Sequence, residues 1–176
     1  MQSLDLLLLP VIFRGALSHS DYGLRTAGGC RSLPEQEFDL ARARILVADD
    51  HEEIRNTIVR LLKRQFEVLA AVGDGPTSLE AAARLKPDLC VLDISMPEMS
   101  GIEVAHRIKQ TDSRIRIVFL TLHDDFDFRA AALATGAEGY VSKARMRGDL
   151  LFAVREVLAG RKFVVSRDGD RKTGIG

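Results

Sequence analysis

CVLDISMPEMSG, residues 90–101, is an apolar run that stops at a lone carboxylate, Asp93, and turns into a loop marked by Pro97 and Gly101. A short run of this kind, bounded by breakers, reads as a strand buried on both faces of a parallel sheet. Ligand chemistry in such sheets collects at the carboxyl ends of the strands, which is where Asp93 falls. Taken alone, Asp93 reads more readily as an acid that closes a strand and opens a turn. Its companions at other strand ends decide between the two.

Working outward, ARILVADD is a short aliphatic run ending in Asp49 and Asp50, the same pattern of buried strand followed by carboxylates. HEEIRNTIVRLLKRQ then sets Ile54, Ile58, Leu61 and Leu62 at helical spacing, with acids in the first turn and bases in the last. FEVLAAV gives a second strand, and PTSLEAAARLK a helix with Pro76 in its first turn. After Gly101, IEVAHRIKQ predicts a third helix, RIRIVFLT a fourth strand ending at Thr121, and DDFDFRAAALATG a helix closed by Gly136. AEGYVSK is a short fifth strand ending at Lys143, and MRGDLLFAVREVLAG a fifth helix stopped by Gly160. Five strand-helix alternations predict an α/β fold with a parallel sheet covered by helices on both faces.

The strand ends carry the chemistry. In a doubly wound sheet the first and third strands are neighbours at the switch point, so Asp49, Asp50 and Asp93 converge. Two like charges about 4 Å apart repel by about 4 kcal/mol at an effective dielectric near 20. A third carboxylate therefore calls for a cation or a proton. With hard oxygens on offer and no Cys or His cluster beside them, Mg²⁺ is favoured over Zn²⁺. Lys143 adds a fixed positive charge and Thr121 a hydroxyl donor, the groups that the oxygens of a transferring phosphoryl require. Singly, Asp49 and Asp50 could cap a helix, Lys143 could be a solvated strand end, and Thr121 a β-branched strand residue. Joint placement at four strand termini is what those separate readings explain poorly.

The rest of the sequence sets bounds. Its 176 residues suit one domain with tails. Lys plus Arg equals Asp plus Glu at 25 each, so charge points to no nucleic acid or anionic membrane. Cys30 and Cys90 lie far apart and argue against a disulfide scaffold, which makes the cytoplasm the default compartment. LDLLLLPVIF is interrupted by Asp5 and Pro10 and falls short of the ~20 residues a spanning helix needs. Residues 1–43 are expected to be a disordered or loosely docked extension, residues 44–166 the folded domain, and residues 167–176 a polar tail. GDGPTS at Gly73 lacks the Gly-Lys-Ser/Thr ending of a phosphate loop and reads as a turn.

Residues 44–166 resemble a response-regulator receiver domain of two-component signalling, with ADD, LDISMPEMSG, FLTLHDD and GAEGYVSK matching its landmarks in order. The resemblance implies a flavodoxin-like, doubly wound five-stranded parallel sheet of order 2-1-3-4-5 with five helices. It makes Asp93 the phosphoacceptor, fed by a sensor histidine kinase or phosphotransfer protein. Asp50, Asp93 and the backbone carbonyl of Ser95 are then direct Mg²⁺ ligands, with Asp49 holding a metal-bound water. Lys143 pairs with the phosphoryl group, Thr121 swings its hydroxyl toward it, and Tyr140 is the aromatic whose rotamer follows Thr121. The output surface is the fourth helix, fifth strand and fifth helix, with Phe126, Phe128 and Leu133 serving core or interface; the output protein is unidentified and a homodimer is left open.

GAEGYVSK and the AVREVLAGRKFVVS ending resemble the subgroup usually fused to a helix-turn-helix domain, but RDGDRKTGIG after Ser166 is too short and polar for a recognition helix. No direct DNA or membrane binding by this chain is expected. Leu122 stands where the family usually has a small residue, so access to Asp93 is expected to be narrowed. Ala144 replaces a Pro, so no cis peptide is expected there. Ser95 and His123 occupy positions that tune dephosphorylation, so an altered phosphoryl lifetime is expected. The competing classes are a Mg²⁺-dependent phosphohydrolase, which usually needs an acid where Ser95 stands, a transcription regulator without its DNA-binding half, and a phosphorylation-insensitive interaction module.

Overall fold

A computed structural model describes residues 43–122, 126–165 and 171–175. In chain order its elements are β1 (Arg44–Ala48), α1 (Glu52–Leu62), β2 (Glu67–Val72), α2 (Gly75–Leu85), β3 (Leu89–Leu92), α3 (Gly101–Thr111), β4 (Arg116–Thr121), α4 (Phe126–Ala134), β5 (Gly139–Ser142), α5 (Met146–Leu158), β6 (Arg161–Val165) and β7 (Arg171–Ile175). The sheet order is β2-β1-β3-β4-β5-β6-β7, with the first six strands parallel and β7 antiparallel to β6. The predicted order 2-1-3-4-5 and the five helices are present.

Strands β1, β3 and β4 each feed two cores because alternate side chains point to opposite faces. Ile45 and Val47, Leu89 and Val91, Val118 and Leu120 join Ile58 and Leu62 of α1 and Leu150, Val154 and Val157 of α5 on one side. Leu46 and Ala48, Cys90 and Leu92, Ile117 and Phe119 join Ala81 and Ala82 of α2 and Val104, Ala105 and Ile108 of α3 on the other. The runs look continuously apolar because both faces are covered. Burying a side chain of Leu or Ile size in such a core contributes about 1.5–3 kcal/mol.

Side-chain caps start α2 and α3. Asp74 accepts from the Thr77 amide at 2.7 Å and Ser100 from the Glu103 amide at 3.3 Å. A Cβ at Gly101 would lie 1.9 Å from the Asp93 carbonyl oxygen, so only glycine lets α3 begin directly behind the Asp93 loop.

The sheet runs further than expected. At Gly160 the backbone turns with φ +81°, and β6 comes back parallel to β5, pairing Phe163 with Gly139 and Val164 with Tyr140. Phe163 is fully buried, which is what recruits this segment. The expected polar tail contributes β7, paired with β6 from Arg171–Val165 to Ile175–Arg161. Residues 1–42, His123 and the Phe126 side chain lie outside the described residues, so the readings made of them are not addressed by the fold. No helix among the described residues is long and apolar enough to cross a membrane.

Candidate phosphoacceptor site

Two ladder hydrogen bonds carry the acids to the sheet's carboxyl edge. The Asp93 amide donates to Ala48 O at 2.8 Å and the Asp49 amide to Val72 O at 3.1 Å, so both residues extend their strands by one position before the chain leaves the sheet. Lys143 follows β5 directly, in a short 3₁₀ turn spanning Lys143–Arg145. Thr121 ends β4, opposite Ser142 of β5. Asp49, Asp93, Thr121 and Lys143 are all buried.

The structure brings the principal predicted groups into contact. Lys143 Nζ lies 2.8 Å from Oδ2 of Asp93 and 2.8 Å from Oδ2 of Asp49. The contact with Asp93 is a directed hydrogen bond. Asp49 Oδ2, although touching the ammonium, has no directed hydrogen-bond partner and is shut off from water. Side-chain donor atoms of Asp49, Asp50, His51 and Asp93 all fall within 4.8 Å of one another.

Electrostatics follow from burial. Desolvation pushes the Asp93 carboxyl above its usual range; Lys143 and the Ser95 backbone amide oppose the shift, and the Asp49 charge adds to it. Burial acts against the Lys143 ammonium, yet its contacts with Asp49 and Asp93 outweigh that and hold it above the ordinary lysine range. Two buried carboxylates therefore share one ammonium, the exposed Asp50 lies alongside, and a buried carboxylate oxygen is left without a directed partner. That is the donor set and the unmet charge that suit a hard divalent cation such as Mg²⁺.

Other predicted residues sit nearby in different ways. Ser95 is exposed, and its amide hydrogen-bonds the Asp93 carboxylate. Tyr140 is 1% exposed and belongs to the same apolar cluster as Phe119 and Ala132, so its ring is turned into the core. Leu122, expected to narrow the entrance, is 65% exposed; its side chain stands in solvent and does not fill the floor of the site. Among the described residues no peptide is cis, including Lys143–Ala144.

Two features escaped the sequence reading. His51 adds a nitrogen to what was read as an oxygen-only cluster, its Nδ1 lying 2.7 Å from Asp50 Oδ1 and its amide 2.9 Å from Asp49 Oδ1. Its position directly after the acid pair was the available signal. The Asp49–Lys143 contact was the other, since Lys143 was assigned to the phosphoryl group and Asp49 to a metal-bound water.

Comparison with known proteins agrees with this geometry. The family model described as response regulator receiver domain matches residues 45–155. Response regulator GacA of Pseudomonas viridiflava is 32% identical over 123 residues, covering 69% of this chain and 58% of the relative. Transcriptional regulatory protein DegU of Brevibacillus brevis is 31% identical over 125 residues, covering 70% of this chain and 53% of that protein. The chain thus spans little more than half the length of these relatives. The crystal structure of a LuxR-family two-component response regulator from Aurantimonas sp. SI85-9A1 superposes with a TM-score of 0.68 at 34% identity, covering 72% of this chain and 91% of that one. With its sheet order, its acid and lysine placement and these matches in agreement, the chain belongs to the response-regulator receiver domain family.

Proposed function

We propose that Asp93 accepts a phosphoryl group from the phosphohistidine of a sensor kinase or phosphotransfer protein, and that the new charge switches an output surface. The observation that carries this reading is the 2.8 Å contact of Lys143 Nζ with Asp93 inside a buried acidic cluster. A carboxylate oxygen of Asp93 attacks phosphorus; the P–O bond forms as the P–N bond breaks, and the electron pair leaves on the imidazole nitrogen, which takes up a proton. Lys143 shifts its hydrogen bond from the carboxylate to a phosphoryl oxygen, and Thr121 offers its hydroxyl to another. Asp50, Asp93 and the Ser95 carbonyl are the direct Mg²⁺ ligands in this scheme, with Asp49 holding a bound water. When bound, Mg²⁺ neutralises charge on the transferring group.

Phosphorylation adds about −1.5 to −2 of charge. Thr121 and Lys143 respond, and the Tyr140 ring follows Thr121. The output surface is α4, β5 and α5, where Phe128 is 41% exposed. A full switch requires a swing of about 5.5 kcal/mol between states. We assign the receiver to residues 44–166, place it in the cytoplasm, and read coupling to transcription as a property of the longer relatives. The phosphohydrolase reading lacks its acid, since Ser95 stands two residues after Asp93.

Incubation with acetyl phosphate and Mg²⁺, followed by intact mass, tests the proposal, with Asp93→Asn as the control. One added phosphoryl that is lost in the variant is the expected outcome. No adduct in the wild-type protein, or one retained by Asp93→Asn, overturns the assignment of Asp93.

A further inference from the structure

Arg55 stands one turn into α1, its amide donating to His51 O at 2.9 Å. Its side chain bends back over the loop it has just left. Nη1 donates to the carbonyl oxygen of Asp49 at 2.6 Å and reaches that of Asp50 at 3.4 Å. On the other side lies the β2–α2 turn, where a Cβ built on Gly73 would come within 3.3 Å of the same Nη1. Among the described residues Arg55 forms no ion pair, although four carboxylates, Asp49, Asp50, Glu52 and Glu53, sit within six positions of it. Its guanidinium is applied to the backbone of the acid pair and leaves the carboxylates to other partners.

We propose that Arg55 is a positioning residue for the cation site: by clasping the carbonyls of Asp49 and Asp50 it fixes their peptide planes and so aims both carboxylates at the cation. The inference rests on the reading of these acids as Mg²⁺ ligands. Both contacts come from one terminal nitrogen, Nη1, held at the end of a planar, permanently charged guanidinium whose geometry a lysine ammonium does not reproduce. Gly73 has the matching role of leaving space for that nitrogen.

Charge and positioning predict opposite signs. A positive group beside a cation site weakens cation binding by repulsion, so removing it should tighten Mg²⁺ if charge were its whole effect. If Arg55 holds the acids in place, removing it loosens them and weakens Mg²⁺ despite the relief of charge. Residues that orient metal ligands in this indirect way are worth about 10–100-fold in affinity.

The test is Mn²⁺ binding read from the free-ion electron paramagnetic resonance signal, competed with Mg²⁺, on the full chain and on Arg55→Met, Arg55→Lys and Gly73→Ala. We expect Mg²⁺ affinity to fall about tenfold in Arg55→Met. Arg55→Lys should fall between that variant and the wild type, and Gly73→Ala, which alters no charge, should weaken binding in the same direction. Equal or tighter binding by a folded Arg55→Met overturns the proposal. If that variant does not fold, by far-ultraviolet circular dichroism, unchanged affinity in Gly73→Ala overturns it instead. A wild-type chain that takes a phosphoryl on Asp93 while the variants match it in Mg²⁺ affinity removes only the role of Arg55; a wild-type chain with no Mg²⁺ affinity removes the Mg²⁺ reading as well.

Discussion

The two ends of the sheet use the same residue types to opposite purpose. At the amino end, charges fasten the fold: Glu138 accepts from Lys109 at 2.6 Å and from the Ile117 amide at 2.8 Å, and Asp88 takes the Arg44 amide at 2.7 Å. Arg116 closes that end on the carbonyls of Val157 and Leu158. At the carboxyl end, Asp49 and Asp93 share one lysine, Asp50 lies beside them, and Asp49 Oδ2 is left without a directed hydrogen bond. Among the described residues one other buried polar atom is without a partner, Gln65 Oε1 just before β2 at the amino end, but it belongs to a neutral amide. Among these residues an unsatisfied charged oxygen is found only at the carboxyl end and marks where a ligand is expected.

Exchanging the shared cation is the strongest way to break that contrast. Lys143→Met leaves Asp49 and Asp93 buried without their ammonium and should cost about 3–5 kcal/mol in urea unfolding measured with chelator present. Added Mg²⁺ should recover part of the loss, and a variant as stable as wild type without metal would show that the carboxyl end is not under charge strain.

Glu138→Ala sharpens the comparison from the other end. It strips a partner from Lys109 and from the Ile117 amide together and should cost about 1–3 kcal/mol. This loss should not respond to Mg²⁺; recovery by the metal would mean that the two ends are coupled and the contrast is false.

The smallest effect is expected midway between them. Cys90 in β3 is fully buried, and burial pushes its thiol up to about 12, with the Lys109 charge opposing. The raised value disfavours the thiolate in the fold, so the thiol stays protonated as pH rises until it nears that value. In a Cys30→Ser background, iodoacetamide at pH 8 should modify Cys90 only after denaturation. Labelling of the native chain at that pH would show that the sheet opens between its two ends.

Most of this architecture was legible because each element carried its own period and punctuation. Strands buried on two faces gave uninterrupted aliphatic runs, and Pro76, Gly101 and Gly136 marked turns that the fold keeps. The acids and Lys143 could be brought together on paper because strand ends and sheet order alone determine that edge. What stayed hidden depends on distances that no local pattern encodes. RKFVV joins the sheet because Phe163 finds a buried place beside Gly139, a contact between residues far apart in sequence. RKTGI has no apolar alternation of its own and becomes β7 only because β6 precedes it. The side-chain approach of Lys143 to Asp49 likewise depends on rotamers, and the exposure of Leu122 on how the chain leaves β4.

The pairing of β6 with β5 restricts how a message can leave through β5. In β5, Gly139 and Tyr140 are matched by Phe163 and Val164, while Val141 and Ser142, next to Lys143, have no counterpart in that register. The sheet's free borders are β2 and β7, so a protein that adds its own strand at β5 itself finds only that two-residue stretch beside Lys143, too short to hold a partner by main-chain bonding. Recognition at β5 therefore has to run through side-chain shape and charge, which a change at Asp93 can alter, and not through backbone pairing, which it would leave as it was.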